Sequence, residues 1–191
     1  VGIHSRNNNG CVWVQPKAHD TQTAGFSDDF SLGTTILSPY IERCPIGLEI
    51  KGGNFGTFVS GASMEGNDTV DITDVGRGTT VSGCYTHLTP IGIEAKGEGC
   101  HYEGVVGSEG VGYTGREGVF RVNGANESVV ESVVNRTDGP TAVQEFNPAD
   151  SIDFRGEPRI NGEIDVSPAS STYTLNFDFR FSVDRKPYVD V

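Results

Sequence analysis

Three glutamates stand in a short phrase that recurs along the chain and could carry acid–base chemistry. The phrase ends at Glu42, Glu65 and Glu103, while a fourth copy ends at His87 instead. If the copies stack as neighbouring strands about 4.8 Å apart, two carboxylates fall at the roughly 5 to 9 Å separation that glycoside hydrolysis uses. Any outward column of acids gives the same spacing without catalysis, and His87 argues against a strictly repeated catalytic role. The glutamates are therefore catalytic candidates, but their spacing alone does not make them a catalytic pair.

Four aromatic residues are the candidate ligand-binding side chains, because flat rings can stack on sugars. Tyr40, Tyr85 and Tyr102 belong to copies of the same phrase, and Trp13 lies in an earlier apolar segment, Cys11-Val12-Trp13-Val14. An exposed Trp13 would form a platform for a sugar ring. The alternative is that this lone tryptophan closes the end of a hydrophobic core.

Histidines and cysteines give no metal or cofactor motif. The four histidines (His4, His19, His87 and His101) lack metal-ligand spacing, and the four cysteines contain no CxxC pair. We therefore predict no metal site and no cofactor. The cysteines form either two disulfides or buried apolar positions, and their pairing does not follow from the sequence.

The elements that position these residues are set by a repeat. The segments Thr35-Ile36-Leu37-Ser38, Thr57-Phe58-Val59-Ser60 and Thr79-Thr80-Val81-Ser82 begin 22 residues apart, and Pro45–Gly52 returns as Pro90–Gly97. A period in the low twenties with β-branched triplets and Gly, Asn or Pro turns predicts stacked coils of a parallel β-helix. Leucine-rich repeats have the same length, but leucine is almost absent here.

Alternation along the strands assigns an inner and an outer face. We expect three interior columns, namely Leu37, Val59, Val81; Leu48, Val70, Ile93; and Ile50, Ile72, Ala95. Between the second and third columns, Glu49, Asp71 and Glu94 are expected to point outward, with Lys51 and Lys96 beside them.

Composition excludes two classes of partner and suggests an environment. The 191 residues carry a net charge of −12, which makes nucleic acid an unsuitable partner, and no apolar run is long enough for membrane insertion. No signal peptide is visible, although the chain opens on Val1. Few lysines and many acids resemble proteins of salt-loving archaea or their viruses; an ordinary acidic secreted β protein is the alternative.

The chain divides into three parts on this interpretation. Residues 1–33 form an N-terminal coil and a loop, residues 34–147 form the β-helix with an irregular terminal part, and residues 148–191 form a β cap. Residues 172–183 alternate almost perfectly, with six apolar side chains on one face that need a cover. We expect this all-β unit to close the helix and to join copies into a homotrimer.

The recurring phrases resemble a known family. Tyr40-Ile41-Glu42, Met64-Glu65-Gly66-Asn67 and Tyr102-Glu103-Gly104, together with Pro45–Gly52 and Pro90–Gly97, are similar to coils of the right-handed parallel β-helix in tailed-virus tail spikes and pectate-lyase-like surface proteins. The resemblance covers residues 34–104. It implies a trimeric protein on a virion or extracellular surface. Its ligand would be a host-surface glycan or glycoprotein.

Fold alone does not fix function, so three hypotheses remain. The first is a structural and binding module of a tail spike or fibre. The second is an enzyme of the same architecture that hydrolyses or lyses acidic polysaccharide. The third is an architectural capsid or tail component with no ligand.

Overall fold

The structure, a computed structural model, describes residues 1–108, 115, 117–136 and 152–155. Its regular elements are 19 short β-strands, and there is no helix among the described residues. It follows that no helix in this part of the chain has the length and apolar character needed to cross a membrane.

The strands form three parallel sheets that wind as a β-solenoid of about five turns. Sheet A contains β1 (Ile3–Arg6), β4 (Ala24–Asp29), β7 (Ile46–Ile50), β10 (Val70–Asp74), β13 (Ile91–Ala95) and β16 (Gly118–Val122). Sheet B contains β2 (Val12–Val14), β5 (Thr35–Leu37), β8 (Phe58–Ser60), β11 (Thr80–Ser82), β14 (His101–Glu103), β17 (Ser128–Glu131) and β19 (Ile152–Arg155). Sheet C contains β3 (Lys17–His19), β6 (Tyr40–Glu42), β9 (Ser63–Glu65), β12 (Tyr85–His87), β15 (Val106–Ser108) and β18 (Val134–Asn135). The predicted parallel β-helix is therefore confirmed.

The three-residue strands of sheets B and C each turn their middle side chain inward. In sheet B this interior column runs through Trp13, Ile36, Val59, Val81, Tyr102 and Val130. Leu37 was predicted in this column, but it pairs with Ser60 on the outer side, so that assignment was one residue out. The error arose because the coil from β5 to β8 is one residue longer than the next one.

Sheet A also differs in register from the expected columns. Leu48 pairs with Ile72, and Ile72 pairs with Ile93, so the middle copy was placed two residues out. Asp71 was expected outside, but it is completely buried, and Thr73 takes the outward position between Glu49 and Glu94. The predicted contacts of the lysines are present, since Lys51 lies 3.5 Å from Glu49 and Lys96 lies 2.7 Å from Glu94.

Stacked residues with positive φ turn the chain at the corners. Between sheets B and C this position is held by Gly61, Gly83 and Gly104, and in other coils by Gln15 and Ser38, with φ of 50° in both. Glycine adopts this conformation without steric cost, whereas a side chain at it is strained. The recurrence of glycine therefore reflects repeated corners, since a second series with positive φ lies between sheets A and B, namely Gly10, Gly33, Gly56, Gly78 and Gly99.

Carboxylates are buried in the interior along with the apolar columns. Asp74 accepts hydrogen bonds from the Tyr102 hydroxyl at 2.7 Å and from the Gly76 amide at 2.8 Å. Asp71 accepts from Asn67 and from Thr89, both at 2.7 Å. These bonds offset part of the cost of burying a carboxyl group. Burial nevertheless raises the pKa of Asp74, outweighing the opposite effect of its donors.

The cysteines are four free thiols, three of them buried. Burial raises the pKa of the Cys100 thiol to about 11. Of the two alternatives left by the sequence, burial without disulfides is the one observed.

The N-terminal part of the chain is more regular than the sequence suggested. Residues 17–29, expected in a loop, contribute β3 and β4 to the same sheets as the later coils. Beyond residue 104 the coils continue through β18, and β19 pairs in parallel with β17. The strand predicted at residues 172–183, and with it most of the expected cap, lies outside the described residues.

Candidate functional site

The outer face of sheet C brings together four of the residues singled out in the sequence. Tyr40 and Glu42 are the two ends of β6, Glu65 ends β9, and Tyr85 begins β12. The register aligns Glu42 with Glu65, and places Ser63 between the two tyrosines. We call Tyr40, Glu42, Glu65, Tyr85 and His87 the sheet C cluster.

The local sequence explains why these side chains point outward. The middle residues of β6, β9 and β12 are Ile41, Met64 and Thr86, and all three are buried. Because side chains alternate along a strand, the residues on either side of a buried one face solvent. Tyr40 and Tyr85 are each 37% exposed. Two coil spacings separate them, which is roughly 9 to 10 Å along the solenoid.

The Tyr40 hydroxyl links the two glutamates of the cluster. It donates to Glu42 Oε2 at 2.9 Å and lies 3.5 Å from Glu65 Oε2. The hydrogen bond to Glu42 raises the pKa of Tyr40, because ionising the phenol would lose that bond and create a like charge. Both carboxylates therefore converge on one neutral phenol, as acceptors of hydrogen bonds.

An arginine fixes the other side of Glu42. Arg43 Nη1 lies 2.7 Å from Glu42 Oε1, and its Nε and Nη2 donate to the two oxygens of Asp20 at 2.8 and 3.0 Å. The Arg43 hydrogen bonds hold the pKa of Asp20 well below its usual range. Arg43 makes these contacts from a left-handed backbone, with φ of 49°. This strained conformation aims one guanidinium at two carboxylates.

His87 extends the cluster and was missed as a binding residue. Its Nδ1 lies 3.5 Å from Glu65 Oε1, and its ring centre lies 6.0 Å from that of Tyr85. The sequence contained the necessary information, because His87 replaces the recurrent glutamate and therefore occupies the same column. That substitution was taken as evidence against catalysis rather than as a site residue.

The other three predicted residues lie elsewhere. Tyr102 is in the interior column of sheet B with no exposed surface, so it is not available to a surface ligand. Trp13 is in the same column and packs edge-on against Phe26 with ring centres 5.5 Å apart, which agrees with the core-closing alternative. Glu103 is on the outer face of sheet B, where it accepts from Ser82 at 2.7 Å. The three glutamates therefore do not share one face.

Sheet A carries a second concave surface on its outside. This groove has a volume of about 450 Å³, and Val70 and Ile91 are among the residues that line it. Glu94 stands in its wall between Lys96 at 2.7 Å and Asn123 at 2.9 Å. Burial pushes the pKa of Glu94 upward, but these two partners outweigh it and the net shift is downward. Each acid in the groove thus has a cationic or amide partner.

Comparison with known proteins adds no assignment, since no family model, curated protein or solved structure matches the chain. The function must be argued from the geometry of these surfaces.

Proposed function

We propose that the protein is a binding module of a virion or cell surface, of the tail-spike or fibre type, that recognises a host glycan or glycoprotein through the sheet C cluster. The observation that carries this proposal is the pair of exposed tyrosines, Tyr40 and Tyr85, flanking a set of fixed carboxylates. The rigid solenoid holds them without a separate ordering step, which lowers the entropic cost of binding.

The chemistry of the cluster fits a hydroxyl-rich saccharide. Aromatic faces pack against the C–H side of sugar rings, and a few fixed polar groups set the orientation of the ligand. Glu42 and Glu65 accept hydrogen bonds and cannot donate them when ionised, so they suit sugar hydroxyls. Glu42, Glu65 and Asp20 outnumber Arg43 in this region, so an anionic saccharide is the less suitable ligand.

A glycan array and whole host envelopes test the proposal. We expect Tyr40→Ala and Tyr85→Ala each to weaken binding at least tenfold, because each removes one stacking surface. Phe55→Ala is the matched control, since Phe55 is also an exposed aromatic, 46% accessible, but lies outside the strands of sheets B and C. Binding that is lost equally in the control, or retained in both tyrosine variants, would contradict the assignment of the site.

Self-association is the second part of the proposal, and it rests on the outer face of sheet B. The strands β2, β5, β8 and β11 contain no charged residue, in a chain of net charge −12. Val12 and Val14 are 59% and 68% exposed on this face. Copies that repel one another elsewhere can approach here, and we propose a homotrimer. Light-scattering mass in low and high salt tests it, with Phe58→Glu expected to give monomers.

Salt dependence bears on the proposed environment. A trimer that melts or dissociates at low salt would support an origin in a salt-loving host, because the acidic surface would lose its screening. A trimer unaffected by salt supports the surface-fibre proposal without the halophilic one.

A polysaccharide-cleaving enzyme is the alternative function, favoured only by the closeness of Glu42 and Glu65 to one phenol. Incubation with host exopolysaccharide followed by assay of new reducing or unsaturated ends tests it. Turnover that disappears in Glu65→Gln would establish the enzyme and defeat the binding proposal. Absence of both turnover and binding would favour the purely architectural component.

A further inference from the structure

We propose that the outer face of sheet B binds one divalent transition-metal ion between His101, Glu103 and Glu131. His101 and Glu103 are the two ends of β14, so both point away from the core. Glu131 pairs in register with Glu103 on the adjacent strand β17. The site lies on a different face from the sheet C cluster and does not depend on the glycan proposal.

The ligand atoms already stand at distances suited to one ion. One atom from each residue lies within 4.8 Å of the others, and His101 Nε2 is 3.7 Å from Glu131 Oε1. A zinc-like ion with bonds of about 2.0–2.2 Å holds neighbouring ligand atoms roughly 3.3–3.6 Å apart in tetrahedral geometry. The histidine and glutamate are therefore too far apart for a hydrogen bond, but close to the separation across a metal ion.

The unsatisfied Nε2 atom of His101 is an independent observation in favour of a bound ion. This atom is shielded from solvent and has no hydrogen-bond partner among the described residues. The side chain as a whole is 39% exposed, but leaving this shielded nitrogen without a partner is unfavourable. That nitrogen faces the carboxylate of Glu131, and an ion between them would satisfy it.

Ligand type and second-sphere contacts agree with a divalent ion. Glu103 and Glu131 are aligned on neighbouring strands, about 4.8 Å apart, so two carboxylate groups and one imidazole nitrogen meet at one place, and this is a donor set that first-row divalent ions accept. Ser82 donates to Glu103 Oε1 at 2.7 Å and leaves its other oxygen for the ion. Hydrogen bonds of this type orient the ligands of metal sites.

The ligand set selects the class of ion. Imidazole favours zinc and its first-row neighbours, whereas Mg²⁺ and Ca²⁺ prefer oxygen ligands alone. Three protein ligands leave a coordination position for water. The prediction of no metal rested on the spacing of histidines and cysteines, and it did not consider Glu131, which comes 28 residues after Glu103 and so departs from the 22-residue repeat.

A second histidine–glutamate pair provides a matched control. His87 Nδ1 and Glu65 Oε1 are 3.5 Å apart on sheet C, much as His101 and Glu131 are on sheet B. No third ligand completes that pair among the metal-ligating groups of the described residues. If pairing of histidine with glutamate were enough to bind zinc, both places would bind it.

Isothermal titration of EDTA-treated protein with ZnCl₂ tests the site, followed by MnCl₂, CaCl₂ and MgCl₂. We expect one Zn²⁺ per chain, bound more tightly than Ca²⁺ or Mg²⁺. His101→Ala and Glu131→Gln should each weaken Zn²⁺ binding at least tenfold, Ser82→Ala about tenfold, and His87→Ala not at all. Circular dichroism of each variant checks that it is folded, and Ser82→Ala keeps the test available if a ligand variant does not fold.

Three results would overturn the proposal. Wild-type protein that binds no Zn²⁺ excludes the site directly. Ligand variants that bind as the wild type does would show that the ion lies elsewhere. Equal loss in His87→Ala and in the ligand variants would show diffuse attraction to an acidic surface.

Discussion

The outer faces of sheets B and C are built on the same backbone but carry opposite chemistry. Both consist of stacked three-residue strands with one buried residue between two outward ones. On sheet B the outward residues of the first four strands are uncharged, among them Val14, Leu37 and Phe58. On sheet C the corresponding positions carry the tyrosines and charged residues of the sheet C cluster, among them Tyr40 and Glu42.

The comparison separates two groups of residues: the inward ones, which form the core, and the outward ones, which are available for binding. The inward residues of both sheets fill the core, and most of them are apolar. The outward residues do not contribute to the core, so each face is free to take a separate role. We propose that sheet C binds the ligand, and that sheet B carries the self-association surface with a metal site at its far end.

Truncation of a buried side chain should lower the free energy of unfolding equally in sheet B and in sheet C. This is the largest effect that we predict. Ile36 in sheet B and Ile41 in sheet C are 0% and 1% exposed. We expect Ile36→Ala and Ile41→Ala each to lower the free energy of unfolding by about 2–5 kcal/mol, because each leaves a cavity. Urea denaturation measures both. A loss confined to one sheet would show that the two interiors are not equivalent.

Removal of a tyrosine hydroxyl should cost more stability in the core than on the outer surface. Tyr102→Phe deletes the buried bond to Asp74, and we expect it to lower stability by about 1.5–3 kcal/mol. Tyr40→Phe deletes an exposed bond to Glu42 and should change stability by less than about 0.5 kcal/mol while weakening ligand binding. Thermal unfolding and binding assays on the same two variants check this. Equal stability losses would contradict the placement of the two tyrosines.

The buried Asp74 and the exposed Asp20 should change the free energy of unfolding in opposite directions as the pH rises. The pKa of Asp74 is raised by burial, so the native state holds a proton that the unfolded state has released. Its contribution is therefore present below the ordinary aspartate pKa of about 3.9 and declines as pH rises through the folded pKa. The pKa of Asp20 is lowered by Arg43, so its contribution is present above that value and is lost as pH falls.

Denaturant titrations from pH 3 to 8 on Asp74→Asn and Asp20→Asn measure these slopes. The stability difference between wild type and Asp74→Asn should shrink as pH rises. The difference for Asp20→Asn should grow, though only slightly, since this pair is exposed to solvent. Slopes of the same sign would mean that one of the two environments is misassigned.

A modest gain in stability is expected at the corner between the two sheets. Ser38 has φ of 50°, whereas the same corner two coils later is Gly83. We expect Ser38→Gly to raise the free energy of unfolding by about 0.5–1 kcal/mol, because relief of the strained backbone exceeds the entropy cost of glycine. Chemical denaturation measures it, and Ser60→Gly, in a β-strand, should instead be destabilising.

The sequence predicted the class of fold because the solenoid is strongly periodic. Alternation identified Ile50, Val59 and Val81 as interior residues, and the recurring glycines identified the corners. Register was less accessible, because the coils are not all of one length and each slip moves a side chain to another column. Leu37 and Asp71 were misplaced in this way.

The candidate site was partly predictable for the same reason. Tyr40, Glu42, Glu65 and Tyr85 belong to one regular phrase, so their positions on one face followed from the repeat. Tyr102 resembles that phrase in residue type but stands one sheet away, where its register turns it inward. His101 and Glu131 come together only because an irregular coil of 28 residues returns to the same sheet, which spacing alone does not show.

Hydrogen–deuterium exchange with and without a bound host glycan is the most direct test of the division between the two faces. We predict that the ligand protects the amides and flanking turns of β6, β9 and β12, and leaves those of β5, β8 and β11 unchanged. Protection confined to β5, β8 and β11 would contradict the account, because it would place the ligand on the face that we assign to self-association.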